Sequence, residues 1–204
     1  MKGLLLKEFI VSKPVLRWYA FLFALFFILG IALKNEEFFF GIGVFMAVSY
    51  PSISIAADEK EKWIKFALAS GCPPAKLAAS MYVVPLALDL LISLSTALAL
   101  YLMPESSLPW ISLPLLFSLT LILLSFMIPV YLRFGVEHGR VVGMVIIVIA
   151  MTGAIAAFGT LVNLSYLASG AAGRVLCGCS PLLGFAVLSA SIVVSARILQ
   201  NKEF

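Results

Sequence analysis

Charge is scarce in this chain. Of its 204 residues, 14 are Lys or Arg and 10 are Asp or Glu, 12% in all, where soluble domains carry roughly a quarter. A soluble fold could not clothe its surface with so little. The residues that build active sites are scarcer still. Histidine occurs once, at 138, and cysteine three times, at 72, 177 and 179. Three cysteines make no disulfide framework, and a lone histidine in a polar stretch is more often solvated than catalytic. Cys177-Gly-Cys179 is a weak metal or redox signal, since a metal site needs several converging ligands; two apolar thiols near a helix start account for it better. No Gly-Lys pair occurs anywhere, so the phosphate-cradling Gly-x-x-x-x-Gly-Lys-[Ser/Thr] loop is absent. A chain that works on ATP energy without this loop takes that energy from another chain.

What remains is apolar: 63% of the residues are hydrophobic. Several runs reach the ~20 residues that carry a helix across a bilayer, well beyond the ~10 of a barrel strand. Helices satisfy their own backbone polar groups in lipid, so the class is all-α, a polytopic membrane protein with six transmembrane helices. The spans are expected at about 15–33, 38–57, 77–103, 110–132, 141–159 and 181–196. Residues 1–14 suit a short interfacial helix, with Leu5, Leu6, Phe9 and Ile10 at helical spacing, Lys2, Lys7 and Lys13 polar, and Pro14 to end or bend it. Residues 160–180 are expected to form an outer loop or a re-entrant region, and the whole chain forms a single transmembrane domain. Twelve of the fourteen Lys and Arg fall on one side of this layout. Positive charge marks the cytoplasmic side, which places both termini and the 58–76 and 133–140 segments inside. The net charge of +4 therefore implies no nucleic-acid partner.

One stretch, Asp58 to Lys76, interrupts the apolar sequence with seven charges. Asp58 and Glu61 form an Asp-x-x-Glu start that suits an N-cap and an acidic first turn. Glu61 and Lys65 are spaced four apart in the favourable order. Trp63, Phe66 and Ala67 are expected on one face, flanked by Ile64 and Leu68, and Gly71, Pro73 and Pro74 stop the helix. The expected product is a short amphipathic helix on the cytoplasmic surface, which a soluble partner could seat or which a Trp could simply anchor at the headgroups. Asp89 is the one acid deep in an apolar span. Such groups face protein or a water-filled cavity, so a place in a transport path and a hydrogen-bonded structural role both stay open.

These features together resemble the membrane subunit of bacterial ABC type-2 exporters, in particular the small six-span permeases related to the phenol-soluble modulin and antimicrobial-peptide exporters. Met1-Lys-Gly-Leu-Leu-Leu-Lys-Glu8 is similar to the family's interfacial elbow helix. The segment from Asp58 and Glu59 through Trp63, Phe66 and Leu68 to Ser70, Pro73 and Lys76 is similar to its loop between spans two and three. Gly71-Cys72 departs from the more polar turn common there. The resemblance implies a permease in the bacterial cytoplasmic membrane, a homodimer with a second copy, bound to two ABC ATPase subunits that hold ATP and Mg. No cofactor would be bound by the permease itself. The coupling helix would use Asp58, Glu59, Glu61, Lys62, Trp63, Lys65, Phe66 and Leu68. A second, smaller contact would use Arg133, Glu137, His138 and Arg140.

The expected function is export of an amphipathic or antimicrobial peptide, with no catalytic centre on this chain and membrane lipid around it. The alternative is an ATP-independent membrane assembly or lipid-interaction protein whose basic segments hold anionic lipid. A membrane enzyme is the weakest reading, because nucleophiles, acids and ligands do not cluster.

Overall fold

The computed structural model describes residues 2–33, 37–102, 112–167 and 171–201; within these, 37–44, 149–177 and a few isolated positions are followed in backbone alone. Among the described residues the elements are six helices: α1 (Lys2–Leu33), α2 (Glu37–Lys60), α3 (Trp63–Ala69), α4 (Pro74–Leu102), α5 (Ser112–Leu167) and α6 (Ala171–Asn201). Among the described residues, four stretches are long and apolar enough to cross a membrane: Leu6–Leu33, Pro74–Ala99, Leu116–Val145 and Gly178–Asn201. Residues 103–111, around the junction of the third and fourth expected spans, and the tail residues 202–204 lie outside the described residues, as does Lys34.

α1 runs without interruption through Pro14. The interfacial segment and the first span are thus one helix, and its 32 residues reach about 48 Å. A bilayer core is ~30 Å thick, so several turns extend past it. Proline removes one backbone donor, and membrane helices tolerate that where neighbouring groups compensate. Leu6, Phe9 and Ile10 face outward, while Glu8 and Ser12 are each only 3% exposed. Polar side chains on a helix in lipid turn toward protein, and the apolar face is left to the surroundings.

α5 is the centre of the bundle, and it is bent back on itself. Gly135 has φ 75° and ψ 167°, a region essentially closed to residues with a Cβ. A Cβ on Gly139 would fall 2.7 Å from Cδ1 of Tyr131, and one on Gly143 would fall 3.2 Å from Sδ of Met127. In a straight helix, residues 127 and 143 would stand about 24 Å apart. The pairs 131/139 and 127/143 step outward evenly from 135, so the two arms form a helical hairpin. Glycine at 139 and 143 lets the backbones close in. The 133–140 stretch, whose polar composition suits a loop between two spans, is the apex of this hairpin. Only Gly135 leaves helical geometry; Gly139 stays helical, where its lack of a side chain admits Tyr131.

The first arm of α5 is the most enclosed stretch, although Phe126 is exposed. Leu121, Leu123, Leu124, Met127, Ile128, Tyr131 and Leu132 are nearly inaccessible. α1 is peripheral: 6% of its span is buried, against 56% for Leu116–Val145. Hydroxyls tie the helices across the core. The Tyr82 hydroxyl bonds with Ser191 at 2.7 Å and Ser195 at 2.8 Å, and Ser191 donates to the carbonyl of Ser125. Gly184 lets α6 lie directly on α5, since a Cβ there would sit 3.0 Å from Leu121. α5 continues to Leu167 and α6 begins at Ala171, so of the 160–180 region only 168–170 lies between helices.

Gly139→Val should destabilise the detergent-solubilised protein by about 1–3 kcal/mol through overpacking against Tyr131. Gly178→Val, where a Cβ meets nothing within 4 Å, is the matched control and should leave the thermal midpoint close to the parent's.

Candidate functional site

The basic segments of the chain gather at one end of the bundle. Leu4, Ile64, Leu77, Leu132, Val136 and Leu199, drawn from α1, α3, α4, α5 and α6, all belong to one apolar cluster. The site is built where the end of α2 meets the start of α1, the short helix α3 and the apex of α5.

α3 is bounded by firm stops. Lys62 precedes it in the left-handed conformation (φ 52°, ψ 28°), a geometry that non-glycine residues adopt uncommonly. At the other end the Gly71 N–H donates to the Leu68 carbonyl and the Cys72 N–H to the Ala67 carbonyl, both at 3.1 Å. Together these two bonds form a Schellman motif, and Gly71 takes the left-handed position (φ 81°) that suits glycine. Pro74 then opens α4, where a missing N–H matters least. The stops expected at Gly71, Pro73 and Pro74 are therefore where the helix ends.

The start of the segment differs from expectation. Asp58 lies within the last turn of α2 and does not cap α3, whose N-cap position has no side-chain hydrogen bond. Burial explains the difference. Asp58 is 2% exposed and its Oδ1 accepts from the Lys7 ammonium. Lys7 also reaches Glu8 Oε1 at 3.3 Å, and Glu8 Oε2 accepts from Ser54 at 3.0 Å. Ser12 and Tyr50 bond one another beside them. Two buried carboxylates thus share one lysine, and Asp58 Oδ2 has no hydrogen-bond partner among the described residues. Burial pushes the Asp58 carboxyl up to about 6, a rise that its hydrogen bond and attraction to Lys7 oppose and Glu8 reinforces.

The expected docking face is also divided differently. Ile64 and Ala67 are buried, and Trp63 and Leu68 are partly buried against the core. Trp63 lies under Lys7, whose Nζ is 5.3 Å from the ring centroid. Phe66 instead points away, 64% exposed, with its ring 5.7 Å from that of Trp63. On a seven-residue helix, i and i+3 anchor together, and here those residues are Ile64 and Ala67. Glu61, Lys62 and Lys65 are exposed around Phe66.

Glu59 joins the two expected contact segments. Its Oε2 accepts from the backbone N–H of Val136 at 3.1 Å. Arg133, Glu137, His138 and Arg140 surround that point on the apex and are exposed, with the Arg133 guanidinium 5.7 Å from the Phe134 ring centroid. Asp89 lies elsewhere, 2% exposed between α4 and α5. Thr120 donates to its Oδ1 at 2.7 Å, so within this chain it faces helix packing. The described residues contain no group of three or more His, Cys, Asp or Glu placed to hold a metal. Cys72 and Cys179 are free thiols; the Cys177 side chain lies outside the description. Sequence reasoning missed Lys7, Glu8, Ser12, Tyr50 and Ser54. The available signal was the polar spacing Glu8, Ser12 and Tyr19 on α1, a helical stripe that the lysines obscured.

A family model described as ABC-2 family transporter protein matches residues 3–200. Among curated proteins and solved structures, nothing matches the chain.

The Asp58 environment makes a pH prediction. The folded protein holds the Asp58 proton to about pH 6, against an ordinary value of 3.8. Stability from this group is full below the ordinary value and is lost as pH rises through about 6. Asp58→Asn cannot ionise, so its thermal midpoint should rise relative to the parent's between about pH 4.5 and about pH 7.5. A midpoint difference that stays constant across this window would show that Asp58 is not titrating there.

Proposed function

The chain belongs to the ABC-2 transporter family, and on that premise we propose that α3 is the element through which separate ABC ATPase subunits drive it. It is an integral membrane protein, the membrane-spanning subunit of an ABC exporter. The proposed complex holds two ATPases, which bind ATP and Mg, and two copies of this chain in the bacterial cytoplasmic membrane. Both termini, α3 and the α5 apex face the cytoplasm, and six spans cross the bilayer. In support of this orientation, twelve of fourteen Lys and Arg lie on the side that includes α3.

The observation that carries the proposal is Phe66. A large aromatic side chain, 64% exposed, stands on a short helix whose other face is rooted by Ile64 and Ala67 and whose ends are fixed. Aromatic anchors surrounded by charge are typical of the residues that dominate protein interfaces. A helix built this way transmits force, since it can neither slide nor unwind freely. ATP binding would draw the ATPases together and carry two copies of α3 with them. α3 rests against α2 and the core, so its displacement reaches the spans directly. The outward apolar face of α1, which includes Trp18, Phe21, Leu25 and Ile28, suits lipid, a second copy or an amphipathic substrate such as an antimicrobial peptide.

Co-expression with a candidate ABC ATPase from the same genome tests the docking role. Phe66→Ala should reduce ATPase retained on the purified permease by roughly tenfold or more, the loss expected of an interface anchor. Trp63→Phe should retain more, because that ring is held within the permease. Tyr101→Ala removes a still more exposed aromatic, 74% accessible, at the far end of α4 and should change nothing. Equal retention in Phe66→Ala and Tyr101→Ala would remove α3 as the seat and favour the ATP-independent membrane role.

A further inference from the structure

Gly135 occupies the N-cap position of α5's second arm, and a glycine has no side chain with which to cap. The first N–H groups of any helix lack partners within it. Here the partner comes from 77 residues earlier: the Val136 N–H donates to Glu59 Oε2. A Cβ on Gly135 would sit 3.5 Å from Glu59 Oε1, so the carboxylate lies directly against the bend. The backbone of the same glutamate shapes the other element, because its carbonyl accepts from the Lys62 N–H at 3.2 Å in the turn that leads into α3. One residue thus holds the α2–α3 corner with its main chain and the α5 apex with its side chain.

We propose that Glu59 is a positioning residue that clasps the α5 hairpin apex to the α2–α3 corner, so that the docking helix and the central hairpin move as one lever. The charge suits the place, since a carboxylate is favoured at the positive end of a helix. Glu59 is solvent-exposed, so its role is to set geometry more than to add stability. Direction of motion follows from packing. The first arm of α5 is the most enclosed helix of the bundle, so a displacement of α3 that drags the apex is delivered to the centre, not to a peripheral span. Without the clasp, α3 would act on the apex only through the non-directional packing of the apolar cluster that it shares with Leu132 and Val136. The lever's purpose rests on α3 being the ATPase seat; the clasp itself does not, and the two are measured separately.

The test uses the full-length permease with Cys72, Cys177 and Cys179 replaced by Ser, carrying nitroxides at Ala69→Cys and His138→Cys, two exposed positions on α3 and the apex. Pulsed dipolar spectroscopy reads the distance distribution in detergent. With Glu59 in place the distribution should be single and narrow. Glu59→Ala should make it roughly twofold wider or more as the capping bond is lost. Glu59→Gln, whose amide oxygen still accepts from Val136, should restore the parent width. Should Glu59→Ala fail to fold, Glu59→Asp, one methylene short of Val136, is read in the same way. A truncated variant as narrow as the parent, or a Glu59→Gln chain as broad as the truncated one, overturns the clasp. Loss of α3 as the ATPase seat would appear in the Phe66 retention measurement and would leave these widths unchanged.

Discussion

Lys7 stands between two carboxylates that water does not reach. Removing charge from water is costly unless it is paired and hydrogen-bonded, and the start of α1 is fixed by that requirement. Glu8 and Asp58 converge on one ammonium, Ser54 supplies a further donor, and Trp63 lies under the lysine. The first helix is thereby tied to the end of the second and to the short third. Burial makes the Asp58 carboxyl hold its proton more tightly, and Lys7, shared with Glu8, offsets that only in part. Removing the lysine alone would leave both acids stranded, which is far more damaging than removing the cluster as a whole.

The same rule shapes the rest of the bundle. In lipid there is little hydrophobic driving force between helices, and small residues and interhelical hydrogen bonds take its place. Glycines 139, 143 and 184 bring backbones together where side chains would hold them apart. The hydroxyls of Tyr19, Tyr50 and Tyr82 each meet a serine on a neighbouring helix. Asp89 and Thr120 follow the same pattern between α4 and α5. Thr120 meets one oxygen of this buried acid, and its Oδ2 has no hydrogen-bond partner among the described residues.

Much of the layout was legible because hydrophobic run length is a local property. The boundaries expected for the spans at 38–57 and 77–103 fall within a few residues of α2 and α4, and the Gly71, Pro73 and Pro74 stop works through backbone chemistry written in those residues. What could not be read was sidedness and distance. Trp63 and Phe66 are three apart and seemed to share a face, but which of them a core would claim depends on Ile64 and Ala67 finding that core first. Asp58 has the form of an N-cap, and only Lys7, 51 residues away, shows that α2 absorbs it. The 133–140 run has the composition of a loop, and only the tertiary pairing of Tyr131 with Gly139 reveals a hairpin whose arms stay helical.

Glu59 and Val136 show why the fold and the site are separately legible. A cap is normally sought within three residues of a helix start, where Ser, Thr, Asp or Asn is expected. At 135 there is only glycine, which the bend needs for its positive φ. The residue that makes the turn therefore cannot cap the helix it begins, and the donor it leaves unsatisfied must be met from elsewhere. An exposed apex could have left that donor to water. That it is met by the corner leading into α3 joins the two cytoplasmic-side segments, and this join follows from the hairpin. A gentler bend, made by a residue with its own capping side chain, would have left α3 and α5 joined through their shared apolar cluster alone.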